Sequence, residues 1–125
     1  MKGPKVVHID DESVLKEVTE HIKNPGGLVA IPTETVYGLA ANARCEVSVG
    51  NIFKVKNRPL TDPVIIHLPS FSIALEQIYN VDLYEALIIL HLAKKFSPGP
   101  LTIVARGRKD VPLILSAGTG YPAVR

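Results

Sequence analysis

Cysteine occurs once, at position 45, which excludes an internal disulfide and a thiolate zinc cage built within one chain; a packed or idle thiol is what remains. Neither sign of charge is in excess. Fourteen Lys and Arg against twelve Asp and Glu leave a net charge of +2, so bulk electrostatics announces no nucleic-acid partner and any such argument has to be local. Long apolar runs are missing as well. The most apolar stretch, Ala86 to Leu90, is cut by His91 and then Lys94, and Met1 to Asp10 sets Lys2, Lys5 and His8 around two valines without the apolar core of a secretory signal. The expectation is a soluble, cytoplasmic protein with no membrane partner. No glycine-rich loop ends in Gly-Lys-Ser/Thr, so a nucleotide would have to be held without a P-loop. No G-x-S-x-G elbow appears, and His8, His21, His67 and His91 lack paired metal-ligand spacing, so no metal site is expected. Gly118-Thr119-Gly120 opens a G-x-G pattern that fails at Ala123.

What is present is a chain of 125 residues, 46% hydrophobic, long enough to bury one core but not two, so a single domain over residues 1–125 is expected. Val6 to Ile9 reads as a first strand, and Asp10 to Ser13 supply caps for a helix carrying Leu15, Val18 and Ile22 at helical spacing. Pro25-Gly26-Gly27 ends that helix. Leu28 to Ile31 is a continuous apolar run of the kind covered on both faces, which makes the opening β-α-β. A short helix is predicted around Val47 to Lys54, then a proline-bounded loop from Asn57 to Pro63, and then Val64 to Leu68 as the clearest strand, rich in β-branched residues. Asp82 and Glu85 form a capping-box pattern ahead of a helix, Leu83 to Phe96, that is apolar nearly all round and therefore expected to be buried. Ser97 to Pro100 stop it, Leu101 to Ala105 read as a strand, Arg106 to Asp110 as a charged turn, and Tyr121 to Arg125 as extended. Alternating strands and helices argue for an α/β sheet, with no internal repeat and no linker.

Three groups of residues invite a chemical reading. The segment GLVAIPTETVYGL (Gly27 to Leu39) places Thr33, Glu34, Thr35 and Tyr37 directly after a strand, where ligands gather in open α/β sheets; the same hydroxyls could simply satisfy turn backbone groups. Lys54, Lys56 and Arg58 precede a loop stiffened by Pro59 and Pro63, a pattern that suits phosphate binding and equally a solvated helix face. His67 ends the strongest strand, either packed or aimed at a strand-end crevice. Arg106, Arg108 and Lys109 read as solvated surface.

Taken in order, "GGLVAIPTETVYGLAANA", "IFKVKNRPLTDPVIIHL", "FSPGPLTIV" and "AVR" resemble the successive signatures of the YrdC/YciO family, the threonylcarbamoyl-AMP synthase lineage, over residues 26 to 125. The resemblance implies an α/β fold, YrdC-like, with a twisted mixed sheet and flanking helices. It implies a nucleotidyltransferase that turns L-threonine, bicarbonate and ATP, with Mg²⁺, into threonylcarbamoyl-AMP and pyrophosphate. A tRNA threonylcarbamoyl-transfer machinery then uses that product to modify a tRNA adenosine.

By the same resemblance Thr35, His67 and Arg125 are threonine-binding, and Lys56 and Arg58, the K-x-R signature, face the nucleotide phosphates. Asp62 stands where many relatives have an asparagine near ATP, which puts an acid beside polyphosphate unless a cation intervenes. Tyr121, with Pro122, occupies the place of a Thr-Val pair and takes over or loses an ATP-contacting hydroxyl. No nucleophilic side chain is implied. The family continues past "AVR" to a Ser-x-Asn signature, so the resemblance implies a domain lacking its C-terminal part. A sheet edge or helix face left uncovered by that absence leads to the expectation of a homodimer. Two rival readings are a non-catalytic module binding double-stranded RNA or tRNA through the two basic clusters, and an inactive remnant.

Overall fold

Helix α1 (Glu12–Lys23) starts where the acidic cluster places its cap: the Asp11 carboxylate accepts from the Ser13 backbone N–H at 3.0 Å and from its hydroxyl at 2.7 Å. The computed structural model describes residues 3–125, and these fall in two compact units that meet in sequence between Ile52 and Phe53. Val6 to Ile9 form no strand: among the described residues no ladder pairs with them.

In the first unit α1 ends at Asn24 and the chain turns through Gly26, whose φ of 84° lies in the left-handed region open to glycine. That turn is pinned from helix α2 (Glu46–Lys56): the Gly26 N–H donates to Ser48 Oγ at 2.8 Å, and Asn51 Nδ2 donates to the Gly26 carbonyl at 3.2 Å. Strand β1 (Leu28–Ile31) forms as predicted, but its partner is the antiparallel β2 (Gly38–Ala41), with Leu28 opposite Ala41 and Ile31 opposite Gly38. The expected β-α-β opening is thus corrected to a hairpin following α1. Ile31 remains 42% exposed, so the strand is not covered on both faces. Gly38, Leu39, Ala40 and Ala41 carry little strand propensity, and pairing rather than composition makes β2.

The second unit holds a mixed sheet ordered β3-β5-β4. Strand β3 (Ile65–Ile66) runs parallel to β5 (Ala123–Val124), and β4 (Ile103–Val104) runs antiparallel to β5. The predicted five-residue strand at Val64 to Leu68 keeps two ladder residues. Val64 donates instead to the Leu115 carbonyl at 3.1 Å, in the 3-10 turn Leu113–Ser116, and Pro63 and Pro69 bring no N–H to either end. Behind the sheet, Ile66, Val124, Ile78, Tyr79, Ile89 and Leu115 form the buried core. Tyr79, 1% exposed, donates its hydroxyl to the Ile103 carbonyl at 2.7 Å. Gly107 lies so close to the Pro122 ring that a Cβ there would stand 2.7 Å from Pro122 Cδ.

Helix α3 (Phe71–Gln77) is capped by Ser70 and packs on α4 (Leu83–Phe96), whose cap is the predicted one: Asp82 accepts from the Glu85 N–H at 2.8 Å. The expected burial of α4 is overturned. Ile89 is its one fully buried residue, because helical geometry turns only one side toward α3, and among the described residues Leu83, Tyr84 and Leu87 on the opposite side are exposed. Among the described residues no helix is long and apolar enough to cross a membrane.

Candidate functional site

Extending the second unit's ladders by one residue builds a row of three polar side chains. The Arg125 N–H donates to the Ile66 carbonyl at 2.8 Å and the Leu68 N–H donates to the Arg125 carbonyl at 3.2 Å, so Arg125 bonds both residues that flank His67. In a parallel ladder that pattern puts His67 and Arg125 in register. The antiparallel pair Ile103–Val124 likewise sets Thr102 beside Arg125. Side chains in register share a face, and the alternate residues Ile66 and Val124 occupy the buried one, so His67, Arg125 and Thr102 line the open face at one end of the sheet.

Within that row the Arg125 Nε–H donates to Thr102 Oγ1 at 2.9 Å. The bond fixes the guanidinium plane and leaves its two terminal nitrogens without another partner among the described residues, an arrangement suited to a carboxylate. His67 is exposed, with Nδ1 3.3 Å from the Ile65 carbonyl; a proton on Nδ1 makes that contact a hydrogen bond and leaves Nε2 as an acceptor. Sequence reasoning did not single out Thr102. Its signal was available: a hydroxyl at the start of an apolar run, directly after the helix-stopping Ser97 to Pro100.

The K-x-R residues stand on a different element of the same unit. Lys56 is exposed in the last turn of α2, and Asn57, with φ 50°, breaks the helix before Arg58. Arg58 Nη2 donates to the Pro63 carbonyl at 2.6 Å, and Nε is buried without a hydrogen bond, 3.8 Å from Asp62 Oδ2. The acid beside the phosphate signature is therefore matched by a cation, as its position requires. Part of the Arg58 fork braces its own loop. Among the described residues no hydrogen bond or ion pair joins Arg58 and Asp62 to the His67 row.

Tyr121 lies at the other end of β5 from Arg125. It lines a shallow cavity of about 440 Å³ together with Arg106, Arg108, Lys109 and Gly120. The second basic cluster is exposed, as expected, and Arg108 is partly committed through Nη2 to the Leu75 carbonyl at 3.1 Å. Thr35 belongs to the first unit, in the loop between β1 and β2. Its N–H donates to Thr33 Oγ1 at 3.2 Å, while that hydroxyl donates to the Val36 carbonyl, so Thr33 shapes the turn and Thr35 is exposed. In that unit Cys45 is partly buried just before α2, and hydrogen bonds from the Ser48 side chain and backbone lower its thiol pKa from the ordinary value.

The family model for Sua5/YciO/YrdC, described as telomere recombination, matches residues 21–125. A threonylcarbamoyl-AMP synthase of Pyrococcus abyssi is 48% identical over 80% of this chain and 28% of its own length. The Schizosaccharomyces pombe protein of the same name is 35% identical over 93% of this chain and 33% of its own. The crystal structure of P. abyssi Sua5 complexed with L-threonine superposes with a TM-score of 0.80 at 43% identity, covering 92% of this chain and 32% of that one. The chain thus spans about a third of the length of these relatives.

Proposed function

The chain belongs to the Sua5/YciO/YrdC family, and on that premise we propose that it carries the L-threonine site and part of the ATP site of a threonylcarbamoyl-AMP synthase. The observation that carries the proposal is the row His67–Arg125–Thr102, in a fold matching a relative crystallised with L-threonine. In this reading the threonine carboxylate meets the free edge of the Arg125 guanidinium, and His67 Nε2 accepts from the substrate's hydroxyl or amino group.

Threonine's amino nitrogen bonds to the bicarbonate carbon and a water leaves, giving a carbamate, and a carbamate oxygen attacks the α-phosphate of ATP. The bond to the β,γ-diphosphate breaks, and pyrophosphate leaves. Lys56 and Arg58 stabilise charge on the phosphates, Asp62 tunes Arg58, and Tyr121 takes a place near the nucleotide. Mg²⁺ comes with the nucleotide as part of the substrate and would neutralise phosphate charge; no group of three His, Cys, Asp or Glu among the described residues could hold a metal. The product passes, in the cytoplasm, to the machinery that modifies tRNA.

Two measurements test the reading. Calorimetric titration should show L-threonine binding to the chain that Arg125→Ala abolishes, and pyrophosphate release should depend on both threonine and bicarbonate. Binding of serine, alanine and threonine with equal affinity would refute the assigned site. A second reading, RNA binding, is favoured by the exposed Arg106, Arg108 and Lys109 around Tyr121. It calls for affinity that falls steeply with salt and that survives Arg125→Ala.

A further inference from the structure

We propose that Ala123 sets the preference of the site for threonine over serine, as the floor of an apolar notch that takes the substrate methyl; the inference rests on the L-threonine site assigned above. The polar row of His67, Arg125 and Thr102 has an apolar row beside it on the same face. Ala123 pairs with Ile65 on one side and with Val104 on the other, so these three stand in register, two residues along their strands from Arg125, His67 and Thr102. Ile66 and Val124 alternate with them and occupy the buried face, which turns Ile65, Ala123 and Val104 to the open one.

Side-chain size gives that row its shape. The central strand contributes a single methyl, and each neighbouring strand contributes a β-branched side chain about 4.8 Å to either side. Along the chain the next residues on this face are Arg125 and Tyr121, because the antiparallel bonding runs on from the Ala105 N–H to the Pro122 carbonyl at 3.4 Å and from the Gly107 N–H to the Gly120 carbonyl at 2.9 Å. Ala123 is therefore the low point among four larger residues. It lies about 6.7 Å along the strand from Arg125, a step that an amino acid held by its carboxylate spans with its side chain. Threonine and serine offer the polar row the same carboxylate, amino group and hydroxyl, so that row cannot separate them. They differ by one methyl on Cβ. A Cβ that gives its hydroxyl to His67 turns its methyl toward the adjoining apolar row, and one methyl fitted into an apolar pocket discriminates by roughly 10–200-fold. A longer side chain would collide with the Ala123 methyl, so the notch also bounds the substrate from above.

The test is calorimetric titration with L-threonine, L-serine and L-3-hydroxynorvaline, which is threonine lengthened by one methylene, on the parent chain, Ala123→Val and Ala123→Gly. Thermal unfolding of each variant shows that it folds. The parent should bind threonine roughly tenfold or more tighter than serine, and should bind the longer homologue less tightly than threonine. Ala123→Val fills the notch, so threonine affinity should fall by roughly tenfold while serine affinity holds within about twofold, and the preference disappears. Ala123→Gly deepens the notch and should shift the preference from threonine toward the homologue, a gain that decides the matter even where the valine variant does not fold. Threonine binding that Arg125→Ala abolishes, with a threonine-to-serine ratio and a homologue affinity that the folded Ala123 variants leave unmoved, overturns this inference and leaves the site standing. Absent threonine binding, or binding untouched by Arg125→Ala, overturns the site itself and the inference with it.

Discussion

Arg125, directly after β5, reaches across to Thr102, directly before β4, Nε to Oγ1 at 2.9 Å, and that single bond orients the guanidinium on the sheet face that His67 shares. Thr102 acts through Arg125 and is a positioning residue. Thr102→Val keeps the shape and removes the acceptor; hydrogen bonds to charged groups contribute about 1.5–3 kcal/mol, so L-threonine affinity should fall roughly tenfold or more. Thr102→Ser should restore it. Calorimetry on both variants decides the matter, and a Thr102→Val protein that binds threonine as well as the parent would remove Thr102 from the site.

Asp62 and Arg58 set up a second expectation. With Nε 3.8 Å from the carboxylate and both side chains partly exposed, the pair is weak, and the acid mainly lowers the local positive potential. Asp62→Asn should tighten binding of tripolyphosphate by roughly two- to five-fold, the range of an exposed pair. Arg58→Ala should weaken it and also loosen the loop, because the 2.6 Å bond to the Pro63 carbonyl is lost. If Asp62→Asn instead weakens polyphosphate binding, the carboxylate serves to hold Arg58 in place.

Tyr79 links stability to alkaline pH. Burial, opposed by a backbone hydrogen bond at Val124, pushes its phenol well above the ordinary range, so the folded chain keeps the proton that the unfolded chain releases above about pH 10. Stability is then fully present below that pH and falls as pH rises beyond it. Tyr79→Phe should cost about 1–2 kcal/mol at neutral pH, since the Ile103 carbonyl loses its donor, and should flatten the alkaline decline. Urea unfolding at neutral and alkaline pH measures both effects.

How much of this was legible in the sequence depends on whether a feature is local. The caps at Asp11 and Asp82, the stop at Pro25-Gly26 and the span of α4 all follow from neighbouring residues, and all stand as read. Features needing a partner were less readable. Gly38-Leu39-Ala40-Ala41 is a strand only because β1 lies beside it, and the apolar circumference of α4 signalled burial although Leu83, Tyr84 and Leu87 are exposed. His67 and Arg125 were readable as family signatures. Thr102 was not, because its role exists only through the β5–β4 register.

Cys45 offers a test of the first unit that needs no ligand. Its sulfur sits just before α2, where the Ser48 hydroxyl and backbone N–H, and then the Gly26 and Val47 N–H groups, donate toward it; together they outweigh the desolvation that opposes them. These donors favour the thiolate, so the folded thiol ionises at lower pH than the unfolded one. Stability should accordingly rise, not fall, as pH climbs through the thiol range, and be lost again as pH drops through the folded pKa. The direct readout is the rate of alkylation by iodoacetamide against pH. The midpoint for the native chain should lie below that of the same chain in denaturant, and Ser48→Ala, which removes the largest stabilising contact, should raise it. Ser48 Oγ also accepts from the Gly26 N–H at 2.8 Å, so helix content is measured alongside to show that the turn survives. Equal midpoints for native and denatured chains would show that the donors around the sulfur do not hold it as thiolate.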